Sequence, residues 1–269
     1  MNAGTFLLLV GAIAAVVYVY PRWRQRRVLE QPFKPHLLAI VRTTLPFFPK
    51  MSADEQKQLL DLIRLFLADK TFHGCAGQTI DDTVRVTIAA QACLLLLNRG
   101  TSVFPNLKHI LVYPSSFVRE REFEDEDGVV STVSEDLLGE SWQEGKVILA
   151  WDDVEYGTES VGDGENVVLH EFAHQLDSES GTQDGAPILK RNDPAEWKAV
   201  MTAAFEALNE SADLNEETLL DPYGAEDPAE FFAVATETFF ERAEELALDH
   251  PALFAELKKF YCVDPRLWR

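Results

Sequence analysis

One apolar segment limits what this chain can fold into more than any other. Val167–Asp177 is rich in large hydrophobic residues, yet it carries His170 and His174 four residues apart. On a helix, two side chains at this spacing leave the same face one turn apart. Burying such polar groups without a partner is costly, so the segment predicts a core helix whose polar face meets a ligand. Two imidazoles in this arrangement can both reach one Zn²⁺, at about 2.0–2.1 Å.

The residue after the first histidine completes a pattern with a known chemical use. Glu171 follows His170 directly, and His-Glu-x-x-His on a helix is typical of zinc peptidases, with the glutamate as general base. Catalytic zinc takes three protein ligands and keeps a fourth position for water. No histidine occurs between positions 174 and 250, so we expect the third ligand to be a downstream acid.

Two glutamates compete for that third position. Glu230 and Glu237 lie seven residues apart on one stripe of a strongly apolar segment that begins near Pro228. They are about 10 Å apart along a helix, so only one can approach a single metal. On spacing alone, Glu230 is equally well explained as an exposed capping residue at a helix start. Glu237 lies mid-helix, where we expect a carboxylate to hydrogen-bond a ligand or neighbouring backbone rather than to bind metal. Asp177 is either a group that orients a ligand imidazole or an ordinary acid at a helix end.

The N-terminal region differs in composition from the rest of the chain. Residues 3–20 contain no charge and are long enough, at about 27 Å as a helix, to cross a bilayer. Four arginines follow at once, and the positive-inside rule keeps them in the cytoplasm. We therefore predict a single-pass helix in the inner membrane with the body of the protein in the cytoplasm; a buried core helix or a cleaved signal peptide is the alternative. The arginines are Arg22, Arg24, Arg26 and Arg27.

Charge and cysteine content exclude several classes of protein. The 269 residues carry 24 Lys and Arg against 45 Asp and Glu, a net charge of −21, which argues against a nucleic-acid surface. Hydrophobic residues make up 46% of the chain, which excludes intrinsic disorder. The three cysteines never occur as CxxC, so no disulfide framework is expected and a reducing compartment fits.

The order of predicted elements favours an α+β fold in three parts. These are a transmembrane helix at 3–20, a basic juxtamembrane segment and linker at 21–50, and a zinc peptidase domain at 51–269. In the last part, helices precede two predicted strands, 109–113 and 146–151, and further helices follow. We expect a small mixed sheet plus helices, with the active-site helix between two lobes, and a solvated loop or hairpin tip at the acid-rich segment 120–127.

Helix starts are marked by local capping patterns. Ser52 and Glu55 have the form of a capping box at the start of one helix. Asp193 and Asp227 each precede Pro-Ala-Glu, which predicts an N-cap, a proline at the first helical position and a glutamate at the third.

Several motifs of the chain resemble those of a known family. The block from His170 to Asp177, together with Tyr223 and the run 228–233 (Pro-Ala-Glu-Phe-Phe-Ala), is similar to the Mlc titration factor A family of zinc peptidases. The runs 112–115 and 139–142 are also similar, and the resemblance spans about residues 35–265. Typical members lack the hydrophobic segment at 3–20.

The resemblance implies a gluzincin with a zincin-like catalytic domain similar to that of anthrax lethal factor. It implies one zinc ion per chain held by His170, His174 and Glu230, with Glu171 as general base. It also implies that Tyr223 donates a hydrogen bond to the transition state.

Two functions from different classes follow. The first is a zinc-dependent amino- or endopeptidase that acts on a peptide or protein. The second is a regulatory binding protein that sequesters a transcriptional repressor, as the family name suggests, with peptidase activity secondary. The intact Glu171 favours retained catalysis, because a protein that only binds is free to lose it.

Overall fold

The computed structural model describes residues 19–100, 102–115, 119–124, 130–135 and 145–268. Most of the predicted transmembrane segment and the run 139–142 lie outside these residues. Helices dominate the described part of the chain: α1 Tyr20–Glu30, α2 Pro35–Thr44, α3 Ala53–Asp69, α4 Asp82–Leu94, α5 Trp151–Glu159, α6 Val167–Asp177, α7 Pro194–Leu214, α8 Pro228–Glu241, α9 Ala243–Asp249 and α10 Pro251–Tyr261. The strands are β1 Thr71–Gly74, β2 His109–Tyr113, β3 Arg119–Glu124, β4 Val130–Glu135 and β5 Lys146–Ala150.

The sheet is small, and its three strands are parallel in the order β1-β2-β5. Thr71 and Lys146 both lie opposite His109, one on each side of the central strand. The parallel pairing of β1 with β2 requires a crossover, which α4 provides. Along β2 and β5 alternate residues are buried, as the period of two of a strand requires. The fold is therefore α+β, and both predicted strands are present.

The sheet also differs from the expectation in three ways. β1 is a third strand that the sequence pattern did not indicate, because Thr71–Gly74 is short and mostly exposed. The expected mixed sheet is instead a parallel sheet beside a separate antiparallel pair, β3 and β4. The acid-rich segment 120–127 is strand as far as Glu124, and the residues between β3 and β4 lie outside the described part.

Residues 35–50 belong to the folded body. Helix α2 lies in the segment expected to be a linker, and its Val41 is fully buried, as are Leu45 and Phe48 beyond it. Their partners are distant in the chain, since α2 packs on α4, so a local pattern that favours a linker does not reveal them. The division of the whole chain into three parts stays a prediction.

Helix α6 runs through the centre of the molecule. It packs against α8, α4, α5 and β5. The ring of Phe172 is tilted against that of Phe66 and meets that of Phe104 edge-on, with centroids 5.7 and 4.8 Å apart. Asn166 caps its start by accepting from the Leu169 N–H at 3.1 Å. A rigid, buried helix therefore carries the His-Glu-x-x-His pattern. Among the helices of the described part, none combines the length and the hydropathy that crossing a membrane requires.

Candidate metal centre

Three side chains from two helices meet at the polar face of α6. His170 and His174 come from α6 and Glu230 comes from the first turn of α8. His170 Nε2 lies 3.0 Å from Glu230 Oε2, the two Nε2 atoms lie 3.2 Å apart, and His174 Nε2 lies 3.4 Å from the same oxygen. These three are also the one group of His, Cys, Asp or Glu in the described residues that is close enough to hold a metal ion.

The capping of α8 explains why Glu230 is in place. Asp227 accepts hydrogen bonds from the backbone N–H groups of Ala229 and Glu230, at 2.7 and 3.0 Å, and Pro228 occupies the first helical position. These contacts fix the first turn against α6, and Glu230 is only 8% exposed. The reading of Glu230 as an exposed residue at a helix start does not describe this structure.

The rival acid lies on the opposite edge of the first imidazole. Glu237 Oε1 accepts a hydrogen bond from His170 Nδ1 at 2.7 Å, and its other oxygen accepts from the backbone N–H of Asn166. A carboxylate in this position fixes the orientation and tautomer of a histidine, so that the other ring nitrogen faces the metal. The structure thus brings both acids to His170, one at each ring nitrogen.

Behind this pair lies a further layer that sequence reasoning missed. Glu241 accepts from the side-chain amide of Asn166 at 3.1 Å and from the Gly162 N–H at 2.6 Å. Asn166 therefore caps α6, holds Glu237 through its backbone and reaches Glu241 through its side chain. One signal was available: Glu237 and Glu241 are four residues apart, which places them on one face of α8.

The electrostatics of the cluster favour a positive charge at its centre. Burial raises the pKa of Glu230, but hydrogen bonds from both imidazoles outweigh it and lower the pKa to about 2. Burial lowers the pKa of His170, but the hydrogen bonds to Glu230 and Glu237 outweigh it and raise the pKa to about 10. Burial lowers the pKa of His174. The carboxylates therefore favour a positive charge beside them, and a metal ion at the imidazole nitrogens would supply that charge.

The donor atoms fit one tetrahedral ion. Ligands placed tetrahedrally at about 2.0–2.1 Å from a zinc ion lie about 3.3–3.4 Å from one another. The three donor atoms lie 3.0, 3.2 and 3.4 Å apart, and two imidazoles with one carboxylate form a ligand set of catalytic zinc.

An open cleft adjoins the cluster. It has a volume of about 320 Å³, and His170, Glu171, Glu230 and Tyr223 are among the residues that line it. Glu171 is 2% exposed, whereas Tyr223 is 46% exposed and its ring centroid lies 5.9 Å from that of His170. The Asp221 carboxylate fixes the turn of Tyr223 by accepting from its backbone N–H at 2.7 Å. The cleft is thus where a substrate can meet both the predicted base and the predicted donor.

Asp177, at the end of α6, contacts the chain that follows the helix. Its Oδ2 accepts from the Gly185 N–H at 2.8 Å, and burial raises its pKa to about 6. Gly185 has a φ of +72°, and a Cβ there would lie 2.2 Å from the Pro228 carbonyl oxygen. The contact ties the loop after α6 to the start of α8. A role of Asp177 in orienting an imidazole stays a prediction.

Comparison with known proteins identifies the family. The model of the glucose-regulated metallo-peptidase M90 family matches residues 20–262. The chain belongs to this family. An uncharacterized protein of Synechocystis sp. is 41% identical over 266 residues, with 96% of each chain covered. Proteins named Mlc titration factor A are 35% identical in Enterobacter sp. and 34% in Salmonella gallinarum, each over 82% of this chain and 84% of the relative.

The family agrees with the sequence motifs and with the geometry of the site. The resemblance drawn from the motifs is confirmed by relatives that carry the Mlc titration factor name. A metallopeptidase family implies a metal ion, and the His-His-Glu group can bind one.

Proposed function

We propose that this protein is a zinc-dependent peptidase of the gluzincin type with a zincin-like catalytic domain. The observation that carries the proposal is the triangle of His170 Nε2, His174 Nε2 and Glu230 Oε2, with sides of 3.0 to 3.4 Å, at the wall of an open cleft. The family membership supports the same conclusion at the level of a metallopeptidase.

Each residue of the cleft then has a chemical role. His170, His174 and Glu230 would hold the zinc ion, which when bound would supply an activated water and a Lewis acid for the substrate carbonyl. Glu171 accepts the proton of the attacking water and returns it to the leaving amine. The hydroxyl of Tyr223 donates a hydrogen bond to the carbonyl oxygen as negative charge develops on it. Glu237 keeps the imidazole of His170 in place.

The test distinguishes the role of Glu171 as general base from a role in zinc binding. Glu171→Gln should keep one zinc per chain and the fold, but lose nearly all peptide hydrolysis, since an amide cannot accept the proton. Glu206→Gln is the matched control, because Glu206 is exposed on α7 and outside the cleft. Zinc content is measured by elemental analysis and turnover with a fluorogenic peptide. Full turnover by Glu171→Gln would refute the base assignment.

A second candidate function rests on the names of the relatives. Those proteins are named for titrating Mlc, so this chain is a candidate binder of a transcriptional repressor. The Glu171→Gln variant also tests this function, since a binder needs the surface and not the base. The binding hypothesis is supported if this variant captures a purified Mlc-type repressor as the unaltered chain does. It is refuted if neither protein does.

The location of the protein is a separate proposal. We infer that residues 3–20 anchor it in the inner membrane with the peptidase domain in the cytoplasm. The support comes from the uncharged segment and from α1, where no residue is buried and Tyr20 and Trp23 are 57% and 51% exposed. Exposed aromatic residues beside arginines are typical of a membrane interface.

A further inference from the structure

A second cavity lies behind the metal centre, on the far side of Asn166. Its volume is about 320 Å³, within the range of small-molecule pockets, which is about 300–1,000 Å³. Its walls are mostly apolar and come from the segment after α2, from α4 and α8, and from the C-terminal 3₁₀ turn Pro265–Trp268; they include Leu45, Phe47, Leu94, Phe240 and Trp268.

One carboxylate borders this apolar space. Glu241 lines the cavity and is 4% exposed. It accepts two N–H groups, but its strongest charged neighbours are acids, Asp163 and Glu237, and burial raises its pKa to about 7. Lys50 also lines the cavity, but it is an exposed residue, and in the described part of the chain no ion pair joins it to Glu241. A buried carboxylate without a cation is costly, so Glu241 favours a ligand that brings a positive charge.

The walls favour the same kind of ligand. Phe47 and Trp268 are stacked, with centroids 5.5 Å apart and ring planes 7° from parallel. Aromatic faces attract ammonium groups, and the other wall residues accept an apolar body. We propose that this cavity binds a small primary amine with an apolar, preferably aromatic, body, whose ammonium group pairs with Glu241.

The cavity is also connected to the metal centre. Asn166 lines both the cavity and the active-site cleft. The path of hydrogen bonds runs from Glu241 through Asn166 and Glu237 to His170. An ammonium group bound at Glu241 neutralises the carboxylate that accepts the hydrogen bond of Asn166. The bound amine should therefore change the affinity of the metal centre for zinc, a consequence that rests on the proposed function.

The binding experiment uses the full chain and one probe, phenethylamine. Calorimetry should show one bound amine per chain, and 2-phenylethanol, of similar size but neutral, should bind at least about tenfold more weakly, as the loss of a charged hydrogen bond predicts. The readout is heat of binding and does not depend on peptidase activity. No binding of phenethylamine, or equal binding of the alcohol, would overturn the proposal.

Three variants locate the site. Glu241→Gln should weaken phenethylamine binding about tenfold or more. Val161→Trp should block it, because Val161 lines the cavity and is 42% exposed, so a larger side chain fits there without entering the core. Glu171→Gln, in the other cleft, should bind the amine like the unaltered chain. If the first two variants bind normally, or if Glu171→Gln alone loses binding, the amine sits elsewhere and the cavity assignment is wrong.

The coupling has its own readout. Zinc is titrated into the metal-free full chain with and without saturating phenethylamine. A change in zinc affinity that is lost in Val161→Trp supports the connection through Asn166. Unchanged zinc affinity would overturn the coupling while the binding site stands. Failure to bind zinc at all would refute the proposed function, which calorimetry of the amine does not test.

Discussion

At the scale of single residues, the two glutamates of α8 have different relations to one imidazole. Glu230 meets Nε2 of His170, which the other histidine also approaches, whereas Glu237 meets Nδ1 on the far edge of the ring. A metal ligand has to share the space between the two Nε2 atoms. Only Glu230 does so.

This difference predicts unequal effects of removing each acid. Glu230→Ala should lower zinc affinity by orders of magnitude and abolish activity, because it removes one of three ligands. Glu237→Ala should keep most of the metal and lose about 10–100-fold in affinity or rate, as is typical for groups that orient a ligand. Zinc titration of the two metal-free variants measures both effects. Loss of the metal in Glu237→Ala but not in Glu230→Ala would reverse the assignment.

Glu241 predicts a pH dependence of stability. Its pKa is about 7 in the folded protein, above the usual value of 4.5, because burial disfavours the ionised form. The folded state therefore binds this proton more tightly than the unfolded state, so the contribution of Glu241 to stability falls as pH rises from about 4.5 to 7. Glu241→Gln should remove that part of the pH dependence. Urea unfolding of both proteins at pH 5 and pH 8 measures the free energy of unfolding at each pH. An equal change in that free energy between the two pH values in both proteins would contradict the prediction.

At the scale of elements, the helix caps were predictable and the contacts between elements were not. The capping box at Ser52 and the caps at Asp193 and Asp227 form as the sequence indicates, because a cap is a contact between residues two or three apart. The His-Glu-x-x-His helix was predictable for the same reason. By contrast, Asn166 and Glu237 are far apart in sequence, and the burial of α2 depends on α4. Local patterns carry no information about such pairs. From sequence, Glu230 was favoured over Glu237 by the resemblance to a family and by its place in the first turn of the helix, beside the loop that carries Tyr223.

Two helices of this chain start in the same way and allow a matched test of capping. Asp193 and Asp227 each accept two backbone N–H bonds before Pro-Ala-Glu, but only the second cap precedes a candidate metal ligand. Either change to Ala should cost about 1 kcal/mol of stability. Asp227→Ala should also lower zinc affinity, since the first turn of α8 loosens around Glu230. Asp193→Ala should not, and equal zinc affinities in the two variants would mean that the cap does not position the ligand.

At the scale of the whole molecule, charge is divided between a basic end and an acidic body. The first 50 residues contain seven Lys and Arg and one acid, although the chain as a whole has a net charge of −21. Helix α1 is also tied to the body, since Arg24 forms an ion pair with Asp69 at 3.6 Å and Arg64 donates to the Leu29 carbonyl at 3.1 Å. An anchor ahead of α1 would therefore set the orientation of the catalytic cleft relative to a membrane.

The anchor itself leads to a prediction about the full chain in cells. If residues 3–20 span the membrane, the protein should sediment with membranes and stay there after alkaline extraction, which removes proteins bound only by charge. Removal of residues 1–18 should release it. A change of Arg22, Arg24, Arg26 and Arg27 to Gln should leave it membrane-bound but disturb its orientation, because those arginines are expected to hold the body in the cytoplasm. Protease added to spheroplasts reports the orientation: the unaltered body should be protected, and the arginine variant partly digested. Release of the full chain by alkali would show that the segment does not span the bilayer, and the arginines of α1 would then account for any remaining attraction to anionic lipid.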